Sequence, residues 1–443
     1  MNLKNKGSAA LLLSLSLVMA ACSSSNGGGG GATPSESPSG SNPPAADGSG
    51  GKTTIEFWHS LGGRNGELID EMISRFNSSQ DSVEVVGTYQ GGYAETVTKL
   101  QQSVSAGTAP DLSMLERAYV QFFSDSEVLA DMTPFMDSTG LSLDDFTEGL
   151  LGHSVFDDKI VSLPLNRSTP ILHVNKSMLD EAGLEVPANW QELREVATAL
   201  AEGSGENQVY GYSMVYDTWY PIAMITQAGG RFFNEEGTSI GFYDNGVGLK
   251  VFEYLKENQN SGALFYPPAQ DSGNIVNQMF VGEKVGMIYQ STGSIGGLLE
   301  SVEFDYVTAF LPADEVYANP TGGANLVMLE DSDKKEAAWE FVHWLMTSPE
   351  GAEEFIVESG YLPFTHAMVE SDAIKELWER EPNRKVAYDQ LEHAIDTNMH
   401  IAWQEVEQEF FSAIQAIMYD SEDIQATLDR LKSEADRILA QYN

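Results

Sequence analysis

The sequence predicts an α/β protein, and three observations carry that expectation. Short runs alternate apolar and polar residues as half-buried strands do. The runs that follow repeat their apolar residues every three or four positions, as amphipathic helices do, and the two patterns take turns along most of the chain. The third observation is bulk: 443 residues, 42% of them hydrophobic and 10% aromatic, suffice for at least one sizeable core and leave room for two.

In chain order, the first segment is an export signal. Lys4 and Lys6 form a basic start, Ala9 to Ala21 is almost purely apolar, and Met19-Ala20-Ala21 places small residues directly before Cys22. The apolar run is about 13 residues, short of the ~20 that a membrane-spanning helix needs. The segment resembles the bacterial lipobox, which implies removal of residues 1–21 and a lipid on Cys22. Residues 22–51 continue from that cysteine as a tether, because Ser23 to Gly51 carries no bulky apolar side chain and cannot form a core. A Gly/Ser-rich chain of that length reaches roughly 30 Å.

The folded body begins near Thr53, where Ile55 and Phe57 alternate with polar residues in a strand. In Gly66 to Asn77, Leu68, Ile69, Met72, Ile73 and Phe76 share one helical face. Val83, Val85 and Val86 predict a second strand, and Tyr93 to Ala106 a second helix. Much later, Asp331 or Ser332 is expected to cap a helix with Ala338, Phe341, Val342 and Leu345 on one face. From Ser421, the residues Ile424, Leu428, Leu431, Ala435 and Ile438 predict a last amphipathic helix.

Charge and chemistry narrow the function. With 24 Lys and Arg against 66 Asp and Glu, the formal charge is −42, which repels a phosphate backbone and sets nucleic acid aside as a partner. Cys22 is the one cysteine, so no intramolecular disulfide or thiolate metal cluster can form. The seven histidines include no H-E-x-x-H pair, no G-x-S-x-G nucleophile elbow is present, and no EF-hand loop appears. No metal or cofactor is expected. An exported chain without catalytic apparatus reads as a binding protein, with a hydrolase of carbohydrate or phosphodiester as the alternative of another class.

Seven segments point further: Phe57-Trp58-His59-Ser60; Thr88-Tyr89-Gln90-Gly91-Gly92-Tyr93; Gly107 to Leu112 before Glu116; Leu163 to Pro170 with Asn175-Lys176; Gln290 to Ser294; Gly322-Gly323-Ala324; and Ser359 to Pro363. In this order and spacing they resemble the family-1 extracytoplasmic solute-binding proteins of bacterial ABC importers, most of all the glycerol-3-phosphate-binding branch. The resemblance implies the two-lobed periplasmic-binding-protein-like fold of type II. Lobe I would take 52–165 and 317–366, and lobe II 166–316 and 367–443, with a hinge near Asn166 to Pro170. It also implies a lipid-anchored monomer on the extracytoplasmic face of the membrane that captures a small molecule and delivers it to the importer's membrane subunits.

Positions matching the branch's ligand contacts are Tyr93, Glu116, Ser168, Thr292, Gly323 and Tyr361. A carboxylate accepts from two adjacent hydroxyls, Ser168 and Thr292 donate to oxygens, and Gly323 lets backbone approach a ligand. One departure bears on the ligand. The branch has a phosphate-binding arginine shortly after an Asn-Met pair, and counting from Asn398-Met399 places Trp403 there. Arg167 beside Ser168 is the candidate replacement, with Arg64, Arg117 and Arg231 behind it. Glycerol-3-phosphate or a glycerophosphodiester is the first expectation. A neutral mono- or oligosaccharide stacked on Trp403 and Trp219, beside Tyr220, is the second.

Overall fold

The computed structural model of the chain describes residues 51–396 and 400–442. The expected signal, Cys22 and the tether up to Gly50 lie outside the described residues, as do Asn398 and Met399. Ten strands build two sheets: β1 (Thr53–His59), β2 (Val83–Tyr89), β3 (Leu112–Glu116), β4 (Leu163–Pro164), β5 (Pro170–Asn175), β6 (Tyr210–Met214), β7 (Leu264–Phe265), β8 (Val285–Ser291), β9 (Tyr306–Ala309) and β10 (Ala324–Met328). Six helices matter for the site: α1 (Gly63–Ser79), α2 (Tyr93–Ala106), α3 (Trp219–Gln227), α4 (Lys335–Thr347), α5 (Trp403–Met418) and α6 (Ile424–Leu439).

The first sheet has the order β2-β1-β3-β10-β4. β1 runs parallel to β2, with Thr53 opposite Val83, and parallel to β3, with Phe57 opposite Leu112. β10 closes antiparallel on β3, with Ala324 opposite Glu116. Ile55 and Phe57 are buried while Thr54 and Glu56 are exposed, so the alternation in the sequence is the alternation of the strand. The α1 face of Leu68, Ile69, Met72, Ile73 and Phe76 is buried as its periodicity predicts, on a helix that begins at Gly63, before the expected Gly66.

The second sheet has the order β9-β5-β8-β6-β7, with β5 antiparallel to both β8 and β9, and β6 parallel to β8 and β7. Its core includes Leu172, Val174, Tyr212 and Met214, together with Val406, Phe410 and Ile414 of α5 and Leu428, Leu431 and Ile438 of α6. Each sheet centres one lobe of a two-lobed α/β fold.

One capping expectation is corrected. α4 starts at Lys335, its N-cap is Lys334, and no side chain caps it. Ser332 instead donates to Asp111 Oδ1 at 2.6 Å and accepts from Lys334 N at 3.1 Å. Asp111 also accepts from the Glu56 backbone N–H at 2.8 Å, so its carboxylate draws Ser332 to the β1–β3 junction and away from the helix. At the other end, the Asp423 side chain accepts from Ala426 N at 2.8 Å and opens α6.

The chain passes from the first sheet to the second between β4 and β5 and returns between β9 and β10. The two passages are joined where Ser168 N–H donates to Gly322 O at 3.2 Å and Gly322 N–H donates to Ser168 O at 2.7 Å.

Candidate ligand-binding cleft

Parallel strands end in the same direction, and in open α/β sheets ligands sit beyond those carboxyl ends. Here a cleft of about 580 Å³ lies beyond the ends of β1, β3, β6 and β8, lined from them by Ser60, Glu116, Asp217 and Ser291. Backbone from the passages between the sheets adds Ser168, Gly322 and Gly323, and α5 adds Trp403, Glu407 and Phe411.

Four carboxyl groups line this space, the exposed Glu95 of α2 and three less exposed ones, Glu116, Asp217 and Glu407. Glu116 is the last residue of β3, and its Oε2 accepts from Ala118 N at 3.0 Å. Asp217 Oδ1 accepts from Trp219 N at 2.8 Å at the start of α3. Glu407 accepts from the Tyr119 hydroxyl at 2.5 Å and from Thr218 Oγ1 at 3.0 Å. Burial raises these three above the ordinary carboxylate range. The rise at Glu116 is opposed by the Arg117 guanidinium. Glu407 is pushed up to about 8, by burial first and also by the fields of Glu116 and Asp217. The Tyr119 hydroxyl is held protonated far above its usual range by burial and by Glu407.

Seven of the nine expected ligand residues meet in this cleft: Tyr93, Glu116, Ser168, Trp219, Gly323, Tyr361 and Trp403. The Tyr93 hydroxyl accepts from Asn166 Nδ2 at 2.7 Å, and the Tyr361 ring stacks on Phe355 with centroids 5.5 Å apart. Trp219 is half-buried, donates from Nε1 to Pro320 O at 2.9 Å, and lies so close to Gly322 that a Cβ there would fall 2.5 Å from its ring. Trp403 is 2% exposed and packs edge-on against Phe232 and Phe233, so most of its indole belongs to the core.

Arg167 and Thr292 stand outside the lining. Arg167 is fully buried, donating to Gly322 O at 3.0 Å, Leu150 O at 3.1 Å, Asn325 Oδ1 at 2.9 Å and Thr321 Oγ1 at 2.6 Å. Burial and the neighbouring Arg117 pull its pKa down to about 9. The side chain braces the passage between the sheets instead of facing a ligand. Thr292 Oγ1 accepts from Thr169 N at 3.3 Å, inside the same passage.

Gly323 has a structural reason to be glycine. Its φ is +85°, and a Cβ would fall 2.0 Å from Asn166 O. Of the other arginines, Arg117 lines the cleft but is 2% exposed, with Nη1 2.9 Å from His153 Nε2. Arg64 and Arg231 form ion pairs, with Glu71 at 3.2 Å and with Glu235 at 3.0 Å.

Sequence reasoning missed Asp217, Glu407, Tyr119 and Gln290, which all line the cleft. A signal for Glu407 was present, since it stands one helical turn after Trp403 and shares its face.

A sequence profile of the family described as bacterial extracellular solute-binding protein matches residues 71–382. The sn-glycerol-3-phosphate-binding periplasmic protein UgpB of Escherichia coli K12 is 25% identical over 365 residues, 76% of this chain and 80% of that protein. UgpB from Mycobacterium tuberculosis, solved with glycerophosphocholine, superposes with a TM-score of 0.78 at 23% identity, over 88% of this chain and 100% of that one. The ABC substrate-binding protein Lmo0181 from Listeria monocytogenes, solved with cycloalternan, superposes with a TM-score of 0.79 at 20% identity, over 88% and 99%. With a family profile covering most of the chain and the fold repeated in those structures, this protein belongs to the bacterial extracellular solute-binding proteins.

Proposed function

We propose that the protein is the solute-capturing subunit of an ABC importer, lipid-anchored through Cys22 as a monomer on the extracytoplasmic face, and that its ligand is a neutral saccharide. The charge of the cleft carries the choice of ligand. Glu116, Asp217 and Glu407 line it, while the cation among its lining residues, Arg117, is buried against His153. Carboxyl groups exchange hydrogen bonds with sugar hydroxyls, and those that are ionised repel a phosphate. Trp219 offers a half-buried ring on which the apolar face of a sugar can stack.

The lobes, taken as 52–165 with 317–366 and 166–316 with 367–443, close as the ligand's contacts to both favour the closed state. The ligand leaves chemically unchanged. A second reading, glycerol-3-phosphate or a glycerophosphodiester, is favoured by the sequence likeness to the E. coli glycerol-3-phosphate-binding protein. It requires the Arg117 guanidinium to exchange His153 for a phosphate.

Calorimetric titration of residues 52–443 with glycerol-3-phosphate, glycerophosphocholine and a panel of mono- and oligosaccharides tests the proposal. Saturable heat from a saccharide and none from either phosphate is expected. Saturable binding of a phosphate ligand with no response to any sugar would overturn the neutral-ligand reading, and recovery of a cleaved ligand would overturn binding without turnover.

A further inference from the structure

Along α5 the residues Trp403, Glu407, Phe411 and Gln415 recur every fourth position, so they form one stripe up the helix. The first three line the central cleft. The stripe does not stop there. A second cavity, of about 430 Å³, is lined by Tyr216, Ala269, Phe411, Ser412 and Gln415, so Phe411 lines both spaces.

That ring is held in place. Tyr216 stacks on Phe411 with centroids 5.8 Å apart and planes 16° from parallel, and the Tyr216 hydroxyl donates to Phe411 O at 2.9 Å. Tyr216 in turn packs edge-on against Tyr266 and at a tilt of 47° against Tyr419, and Tyr419 donates to Tyr266 O at 3.2 Å. The result is an aromatic platform whose rings lose little freedom when a ligand lands on them. Beside it, the exposed Ser412 and Gln415 put a hydroxyl and an amide at the rim. From Trp403 to Gln415 the helix rises about 18 Å, more than one sugar ring or a glycerol phosphate spans.

We propose that Tyr216, Phe411, Ser412 and Gln415 form a second subsite continuous with the cleft, so that the ligand is an extended oligosaccharide of about three units. The inference rests on the saccharide reading above and deepens it. One ring occupies the space between Glu116, Asp217 and Trp219. The chain then runs along α5, with an apolar sugar face on Phe411 and a hydroxyl on the Gln415 amide. An oligosaccharide fits this surface because it alternates an apolar ring face with hydroxyl edges, which is what the platform and its rim present.

The test titrates residues 52–443 with glucose and maltotriose, glucose and cellotriose, and galactose and a β-linked galactotriose, on wild type and on Gln415→Ala. Gln415 lies outside the central cleft and is exposed, so the substitution leaves folding intact. At least one trisaccharide is expected to bind tenfold or more tightly than its monosaccharide, and Gln415→Ala is expected to weaken that trisaccharide about fivefold while leaving the monosaccharide unchanged. Equal affinity for mono- and trisaccharide, or a trisaccharide indifferent to Gln415→Ala, overturns the second subsite alone. No heat from any sugar overturns the saccharide reading and the subsite with it.

Discussion

Replacing Glu407 by glutamine is expected to flatten the loss of stability that the wild-type protein suffers between pH 5 and pH 8. The native carboxyl keeps its proton up to about 8, whereas an ordinary glutamate, and hence the unfolded chain, gives it up near 4.5. Between those values the native state binds more protons than the unfolded one, so stability falls as pH rises through the window. Each pH unit in it is worth about 1.4 kcal/mol, and the whole window at most about 5 kcal/mol. Water at the cleft side of Glu407 and a field shared with Glu116 and Asp217 reduce this to ~2 kcal/mol.

Glutamine keeps the shape and two polar atoms that can meet the Tyr119 and Thr218 hydroxyls, but it does not titrate. Thermal melts of residues 52–443 at half-unit steps from pH 5 to 8.5, run in parallel on both proteins, isolate the difference from the titration of all other acids. Wild type is expected to lose ~2–4 °C more than Glu407→Gln across the window. Two curves that run parallel from pH 5 to 8.5 would refute the buried, coupled carboxyl.

Arg167→Met is expected to cost about 3–5 kcal/mol, because Leu150 O and Asn325 Oδ1 lose the guanidinium donor and Gly322 O keeps only the Ser168 N–H. Urea unfolding measures this, and a midpoint within error of wild type would mean that the brace is dispensable. Gly323→Ala is expected to destabilise by ~2 kcal/mol or more through its positive φ and the close Asn166 carbonyl, whereas Gly297→Ala, with open space around it, should be neutral or stabilising. Equal effects of the two in the same unfolding assay would remove the backbone argument. For the full-length chain expressed in a bacterial host, Cys22→Ser is expected to abolish incorporation of labelled fatty acid, and undiminished labelling would rule Cys22 out as the lipid site.

Much of the fold is legible in the sequence because a backbone's own period marks which side chains face inward. Ile55 and Phe57 on β1, and Leu68 to Phe76 on α1, declare their buried faces within a few residues of themselves. The segment from Asn166 to Pro170 was recognisable as the passage between sheets, and Tyr93, Glu116, Ser168 and Tyr361 as cleft residues, through a resemblance that spans the chain. The cap of α4 was not legible, since Ser332 answers to Asp111, which stands 221 residues away.

The alternation of strands and helices, the buried faces and the family to which the chain is similar all rest on local periodicity or on ordered short motifs, and the amino-acid order carries them. Which way Arg167 points depends on contacts made across the fold, because its partners Gly322 and Asn325 lie 155 and 158 residues further on. The fold alone brought Asp217 and Glu407 up to Glu116 and so lined the cleft with carboxyl groups whose titration is shifted by burial and by their neighbours. The sign of a binding site is a sum over charges in space, and spacing along the chain does not carry that sum.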